Sequence, residues 1–194
     1  QRLLRRQPRV DLARECPGGG VHEPLHHHPH HLRIRAVLAE HVRPSRQVSA
    51  SELFPRLAPA FDEGHLADWN TVDWLSVKVL AAWLADEGED CAELLVAWST
   101  APSMWRRRAA AVAFVPLAPR GDDAFPGLAD ALLRICERNV QDPARFSQTS
   151  VGWSLRELSK AHPQRVDAFV EQWSDTMSGE ARKAATRFLP AIPG

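Results

Sequence analysis

Residues 66–87 read LADWNTVDWLSVKVLAAWLADE, and this stretch decides the fold class. Its apolar residues recur at spacings of three and four, the period of a helix with one buried face, whereas a strand would alternate with a period of two. The same spacing continues through nearly every segment from about residue 32 onward. The sequence therefore predicts an all-α protein.

The predicted helices are separated by breaks of only a few residues. Pro102 suits the first turn of a helix, Asp122-Asp123 supplies an N-cap and first-turn charge, and Asp142-Pro143 and Ser178-Gly179-Glu180 are typical of breaks. Such short linkers favour antiparallel neighbours, so stacked helical hairpins are predicted, with a single bundle as the alternative. The predicted helices cover residues 32–42, 51–60, 66–87, 89–100, 102–118, 123–140, 144–161, 163–177 and 179–189.

Residues 1–31 lack this pattern and are predicted to be a low-complexity, disordered segment preceding a single domain over residues 32–194. They contain Gly18-Gly19-Gly20 and the run His26-His27-His28-Pro29-His30-His31. A histidine run can bind transition metals. Because this one has no carboxylate or cysteine partner, we expect no metal site and no cofactor.

Composition excludes several classes of protein. No apolar run approaches the 18 residues needed to span a membrane, and no basic segment followed by an apolar one opens the chain. The three cysteines, Cys16, Cys91 and Cys136, form no C-x-x-C pair, which favours reduced thiols over a disulfide framework or a zinc site. A cytoplasmic protein that makes no membrane contact is expected.

The net charge is zero, but its distribution is uneven. Residues 61–101 carry one basic and nine acidic groups, whereas residues 102–194 carry thirteen basic and ten acidic groups. The whole molecule therefore does not attract an anionic polymer, and nucleic acid could bind only at a local arginine face.

Trp69 and Asp73 are four residues apart and therefore share one face of the predicted helix. A carboxylate beside an aromatic face suits a substrate that is, or becomes, positively charged. The alternative is an ordinary helix with a buried tryptophan and a solvated aspartate.

Two further clusters lie downstream. Trp105 is three residues before Arg108, and Trp153 precedes Arg156 and Glu157. Alone, each is equally typical of a core tryptophan beside surface ion pairs. Together with Asp73 they indicate an aromatic-lined cleft that contains one acid and is rimmed by arginine, whose planar fork binds phosphate well.

Three segments carry a resemblance to a known family: residues 69–73 (WNTVD), 105–110 (WRRRAA) and 147–157 (SQTSVGWSLRE). In order and spacing they resemble the marker segments of the HEAT-like alkylpurine DNA glycosylases, the AlkD-like family of DNA alkylation repair. The likeness runs from about residue 36 to residue 190. Position 70 is Asn where the family commonly has Asp.

The resemblance implies a right-handed α-α superhelix of HEAT-like repeats and a monomeric bacterial enzyme, associated with the nucleoid when it acts. It implies excision of N3- or N7-alkylated purines from duplex DNA. By position it makes Asp73 the catalytic acid and Trp69, Arg108 and Trp153 the DNA-binding residues. Additional DNA contacts are predicted for Arg106, Arg107 and Arg156.

The chemistry of these residues agrees with that role. An alkylated purine is cationic and leaves readily, while positive charge builds on the deoxyribose as the glycosidic bond breaks. A fixed carboxylate stabilises that charge. Two other classes of function stay open: a catalytically silent helical-repeat protein that binds branched or bent DNA or a protein partner, and a pure protein-interaction scaffold.

Overall fold

A computed structural model describes residues 48–189, and this part of the chain is all-α, as predicted, with no strand in it. The predicted helix 32–42 and the predicted disordered segment 1–31 lie outside the described residues. The α-helices are α1 (Ala50–Asp62), α2 (Trp69–Leu75), α3 (Ala81–Glu87), α4 (Glu89–Trp98), α5 (Met104–Val112), α6 (Leu128–Asn139), α7 (Arg145–Leu158), α8 (Pro163–Gln172) and α9 (Gly179–Ala185). A π-helical segment, Ser76–Leu80, joins α2 to α3, and 3-10 turns cover Ala118–Asp123 and Thr186–Phe188.

The helices form two layers, and the chain passes from one layer to the other at nearly every connection. In the first layer α1 packs on α4 and α4 packs on α6. In the second layer, called here the site layer, α2 packs on α5, α5 on α7 and α7 on α9. Each helix therefore contacts chiefly its neighbours in sequence and in its own layer, which is the solenoid-like arrangement expected of stacked hairpins.

Several predicted helix bounds were wrong, because local capping overrides the apolar pattern. Helix α5 begins at Met104 rather than at 102, since the Ser103 hydroxyl accepts a hydrogen bond from the Arg106 amide. Helix α6 begins at Leu128 rather than at 123, after Gly127 in the left-handed conformation. The Asp122 carboxylate nevertheless accepts a hydrogen bond from the Ala129 amide at 3.0 Å, so it does serve the first turn of α6.

The site layer depends on a close approach of α7 to α9 at Gly152. A Cβ atom at this position would lie 2.7 Å from the carbonyl oxygen of Ala181 and 2.8 Å from its Cα. Both atoms belong to the backbone of α9 and cannot rotate away, so the packing distance requires a glycine.

We expect Gly152→Ala to lower the free energy of unfolding by about 1–3 kcal/mol, because α9 must shift to admit one methyl group. The matched control is Gly179→Ala, where an added Cβ meets nothing within 4 Å. Chemical denaturation of both variants measures the difference. A Gly152→Ala protein as stable as the Gly179→Ala protein would contradict the packing argument.

Two other observations bear on predictions made from composition. No helix in the described part of the chain is long and apolar enough to cross a membrane.

Cys91 and Cys136 are free thiols, as predicted, and both are buried. Burial, aided by Glu87, raises the pKa of Cys91 to about 12, so this thiol is not a nucleophile at neutral pH.

Candidate functional site

Helix α2 positions Trp69 and Asp73 one turn apart. The helix starts at Trp69 because Asp68 is extended and its carboxylate accepts a hydrogen bond from the Thr71 amide at 2.9 Å. Trp69 is 45% exposed, which is unusual for so large an apolar side chain. The Asp73 side chain is only 14% exposed. The helix therefore presents an open indole beside a largely buried carboxylate.

Asp73 is held by Arg108 of the neighbouring helix α5. The guanidinium donates two parallel hydrogen bonds, from Nε to Oδ1 at 2.7 Å and from Nη2 to Oδ2 at 2.8 Å. This bidentate geometry fixes the plane and the orientation of the carboxylate. Sequence reasoning predicted that both residues line one cleft, but it did not predict that they pair directly.

Arg108 is itself fixed from the other side by α7. Its Nη1 donates to the backbone carbonyl of Phe146 at 2.7 Å and to the Thr149 hydroxyl at 3.0 Å. Its side chain is only 6% exposed, and its guanidinium carbon lies 5.7 Å from the centre of the Phe146 ring. Four of its five N–H donors therefore serve Asp73, Phe146 and Thr149. The contact with a DNA phosphate, implied by the resemblance, stays a prediction.

Burial is the main influence on the ionisation of Asp73. Desolvation raises the pKa of this carboxyl above its usual value, against the hydrogen bonds and positive charge of Arg108, and the nearby Asp68 adds a smaller raising effect. The folded protein therefore binds the Asp73 proton more tightly than the unfolded chain does. This contribution to stability is present at low pH and is lost as the pH rises through the pKa of the folded state.

The predicted tryptophans lie on the same helices as residues of the ion-pair network. Trp153 follows Thr149 by four residues on α7, just as Trp69 precedes Asp73 by four residues on α2, so each lies one helical turn from a residue of the Asp73–Arg108 network. Trp105 packs against Phe146 with the ring centres 5.0 Å apart and helps to hold the ring under Arg108. The structure thus joins Asp73 and Arg108 directly and places Trp69 and Trp153 on the helices that carry this network, and a shared DNA-binding role stays a prediction.

The three arginines predicted as additional DNA contacts already have carboxylate partners. Arg106 pairs with Asp62 at 2.6 Å, Arg107 pairs with Asp142, and Arg156 pairs with the adjacent Glu157. Their contact with DNA stays a prediction, and each would have to exchange or share its present partner to bind a phosphate.

A comparison with protein families decides the class of this protein. The model of the family described as DNA alkylation repair enzyme matches residues 25–189. The chain belongs to this family. A search of curated proteins found no match, and neither did a search of the solved structures. The resemblance carried by the three marker segments is thereby confirmed, and the general role is repair of alkylated DNA.

Sequence reasoning missed two residues of the candidate site, Phe146 and Thr149. Both contact Arg108, which ties α7 to α5. Phe146, Thr149 and Trp153 follow one another at intervals of three and four, which places them in one stripe of α7. That stripe was the available signal, because it leads from the predicted Trp153 to both missed residues.

The chemical capacity of the site is that of one oriented carboxylate beside exposed aromatic surface. In residues 48–189 no three His, Cys, Asp or Glu side chains lie close enough together to hold a metal ion. The carboxylate can stabilise a cation or orient a water molecule, and the indole face can pack on a sugar or attract a cationic ring.

Proposed function

We propose that this repair protein is a DNA glycosylase that hydrolyses the N-glycosidic bond of N3- or N7-alkylated purines in duplex DNA. The observation that carries the proposal is the Asp73 carboxylate, which Arg108 holds in a fixed orientation one helical turn from the exposed indole of Trp69. A carboxylate that needs no reorientation during the reaction is the kind of group that stabilises developing positive charge.

The proposed reaction requires no proton donor for the leaving group. The bond between C1′ and the purine nitrogen breaks, and the cationic base takes the bonding electron pair and leaves as a neutral molecule. Positive charge develops on C1′ and the ring oxygen, next to Asp73. The oxygen of a water molecule then bonds to C1′, its proton passes to Asp73 or to solvent, and an abasic site remains.

In this proposal Arg108 is a positioning residue. It opposes the effect of burial on the pKa of Asp73, so that the carboxylate stays ionised over a wider range of pH. It also aligns both carboxylate oxygens through its two parallel hydrogen bonds. The one N–H of its guanidinium without a protein partner in residues 48–189 is the donor that would make the phosphate contact implied by the resemblance.

The tryptophans are proposed to hold the damaged nucleotide. Trp69, which is exposed, and Trp153, which is partly buried, would pack on the deoxyribose or on the charged base. An open site of this kind would suit action on a base that stays in the stack. A monomer and a single duplex suffice for this arrangement.

The direct test is release of N7-methylguanine from a duplex that carries this base at one position. We expect the purified protein to release the free base and leave an abasic site, at the same rate with and without a metal chelator. The matched control is the same duplex with unmodified guanine. Binding to the damaged duplex without release above the spontaneous rate would favour the catalytically silent DNA-binding protein instead.

A further inference from the structure

Phe188 is an exposed aromatic residue at the far end of the site layer. Within residues 48–189 it and Trp69 are the large apolar side chains left exposed, each at 45%. Two cations accompany the Phe188 ring: Lys160 Nζ lies 4.9 Å and the Arg187 guanidinium carbon 5.6 Å from its centre. We call these three residues the distal cluster.

The distal cluster has an excess of positive charge. Glu157, which is largely buried, pairs with both Arg156 and Lys160. Arg187 makes no ion pair with any carboxylate of the described residues, and its side chain is exposed. The Glu157 carboxylate is therefore shared by two cations while Arg187 has no such partner in the described part of the chain, and the surplus positive charge faces solvent beside the ring.

The distal cluster lies at the ends of two helices of the site layer. Lys160 lies two residues after the end of α7, the helix whose earlier turns carry Thr149 and Trp153. Arg187 and Phe188 lie in the 3-10 turn that follows α9, the neighbour of α7 in the site layer. The eleven residues from Thr149 to Lys160 correspond to about 16 Å along a helix. Since the rise of B-DNA is about 3.4 Å per base pair, this distance corresponds to about five base pairs of a duplex that runs along α7.

We propose that the distal cluster binds the sugar–phosphate backbone of the same duplex, about five base pairs from the damaged nucleotide. Lys160 and Arg187 would contact phosphates, and the flat apolar ring between them would pack on a deoxyribose, matching the alternation of charge and apolar surface along a DNA strand. The inference rests on the proposed function for its ligand, and it adds a binding site remote from the reaction.

The test measures how tightly the Arg187→Gln and Lys160→Gln variants bind an unmodified duplex. Binding is monitored by fluorescence anisotropy across a range of salt concentrations. Each lost phosphate contact should weaken binding roughly tenfold at about 0.1 M salt and reduce the salt slope by about one. The effect should not depend on DNA sequence. Phe188→Ala should weaken binding without changing the salt slope, because it removes no charge.

The matched control is Arg56→Gln, which removes the same charge from an exposed position on α1, in the other layer. We expect this variant to bind the unmodified duplex as tightly as the wild-type protein does. A second comparison uses a duplex that ends about three base pairs on either side of the modified base, too short to reach the cluster. The Arg187→Gln variant and the wild-type protein should have the same affinity for this short duplex.

Equal affinity of Arg187→Gln, Lys160→Gln and the unmodified protein for the long duplex would overturn the inference. A loss of affinity that is the same on the short duplex would also overturn it. Because affinity for the long duplex is measured on unmodified DNA, and binding of the short duplex requires no base release, this outcome is independent of base excision. A protein that excises no base can still bind through the distal cluster, so the two proposals fail separately.

Discussion

We expect Asp73→Asn to lower the rate of N7-methylguanine excision by about 10²-fold or more, equivalent to about 3 kcal/mol of transition-state stabilisation. The substitution keeps the shape of the side chain and removes its charge. The carboxylate is fixed by Arg108 and largely shielded from solvent, so its charge acts on the reacting sugar with little screening. Single-turnover kinetics on a duplex with one modified base measure the loss.

DNA affinity and protein stability should respond differently to the same substitution. Affinity for the duplex should hold or rise, because a carboxylate near phosphates is mildly repulsive. The free energy of unfolding should fall by about 2 kcal/mol, since the buried Arg108 loses its charged acceptor. Kinetics are therefore compared at a temperature at which both proteins are fully folded, as checked by circular dichroism.

Asp142→Asn is the matched control. Asp142 is also a partly buried aspartate that pairs with an arginine of α5, in this case Arg107. Burial tends to raise the pKa of Asp142, but hydrogen bonds from Ala144, Ser147 and Arg107 outweigh it and lower the pKa. Asp142→Asn should thus cost stability without a selective loss of excision. Normal excision by Asp73→Asn, or an equal loss in both variants, would remove Asp73 from the proposed mechanism.

The helical content could be predicted from the sequence because apolar spacing records which face of each helix is buried. The predicted helix 66–87 ends at Glu87, as expected. The helix stops there because Gly88 has a positive φ of 57°. Helix starts were less predictable. Ser103 and Asp68 cap their helices through single side-chain hydrogen bonds, and these bonds decide the first residue of the helix more strongly than the apolar pattern does.

The site could be predicted only as a set of residues, not as a network. Asp73 and Arg108 are 35 residues apart, and their pairing depends on how α2 packs on α5. The sequence alone also suggests that Arg106, Arg107 and Arg108 are unpaired charges. In the structure each of them pairs with a carboxylate from another part of the chain. Charge counted along a chain does not reveal such partners, because they come from tertiary contacts.

We expect Arg108→Met to have the second large effect, on both stability and the pH dependence of excision. Methionine preserves much of the apolar stem but leaves the Asp73 carboxylate buried without a counterion. Removing one member of a buried pair costs about 3 kcal/mol of unfolding free energy at neutral pH. Part of this loss should disappear in the double variant Asp73→Asn/Arg108→Met, because neither charge is then left alone.

The pH profile separates a positioning role for Arg108 from a merely structural one. Excision needs ionised Asp73, so the rate should fall as the pH drops through the pKa of that carboxyl, which burial raises above its usual value. Arg108 lowers this pKa through its hydrogen bonds and charge, so Arg108→Met should raise it further and move the acidic limb of the rate profile to higher pH. Arg108→Lys keeps the charge but loses the parallel hydrogen bonds. The acidic limb of its rate profile should therefore lie between those of the wild-type protein and Arg108→Met. Single-turnover rates of the three folded proteins across acidic pH give the positions of the limbs. Coincident limbs would show that Arg108 does not control the ionisation of Asp73, and the bidentate pair would then serve only to join α2 to α5.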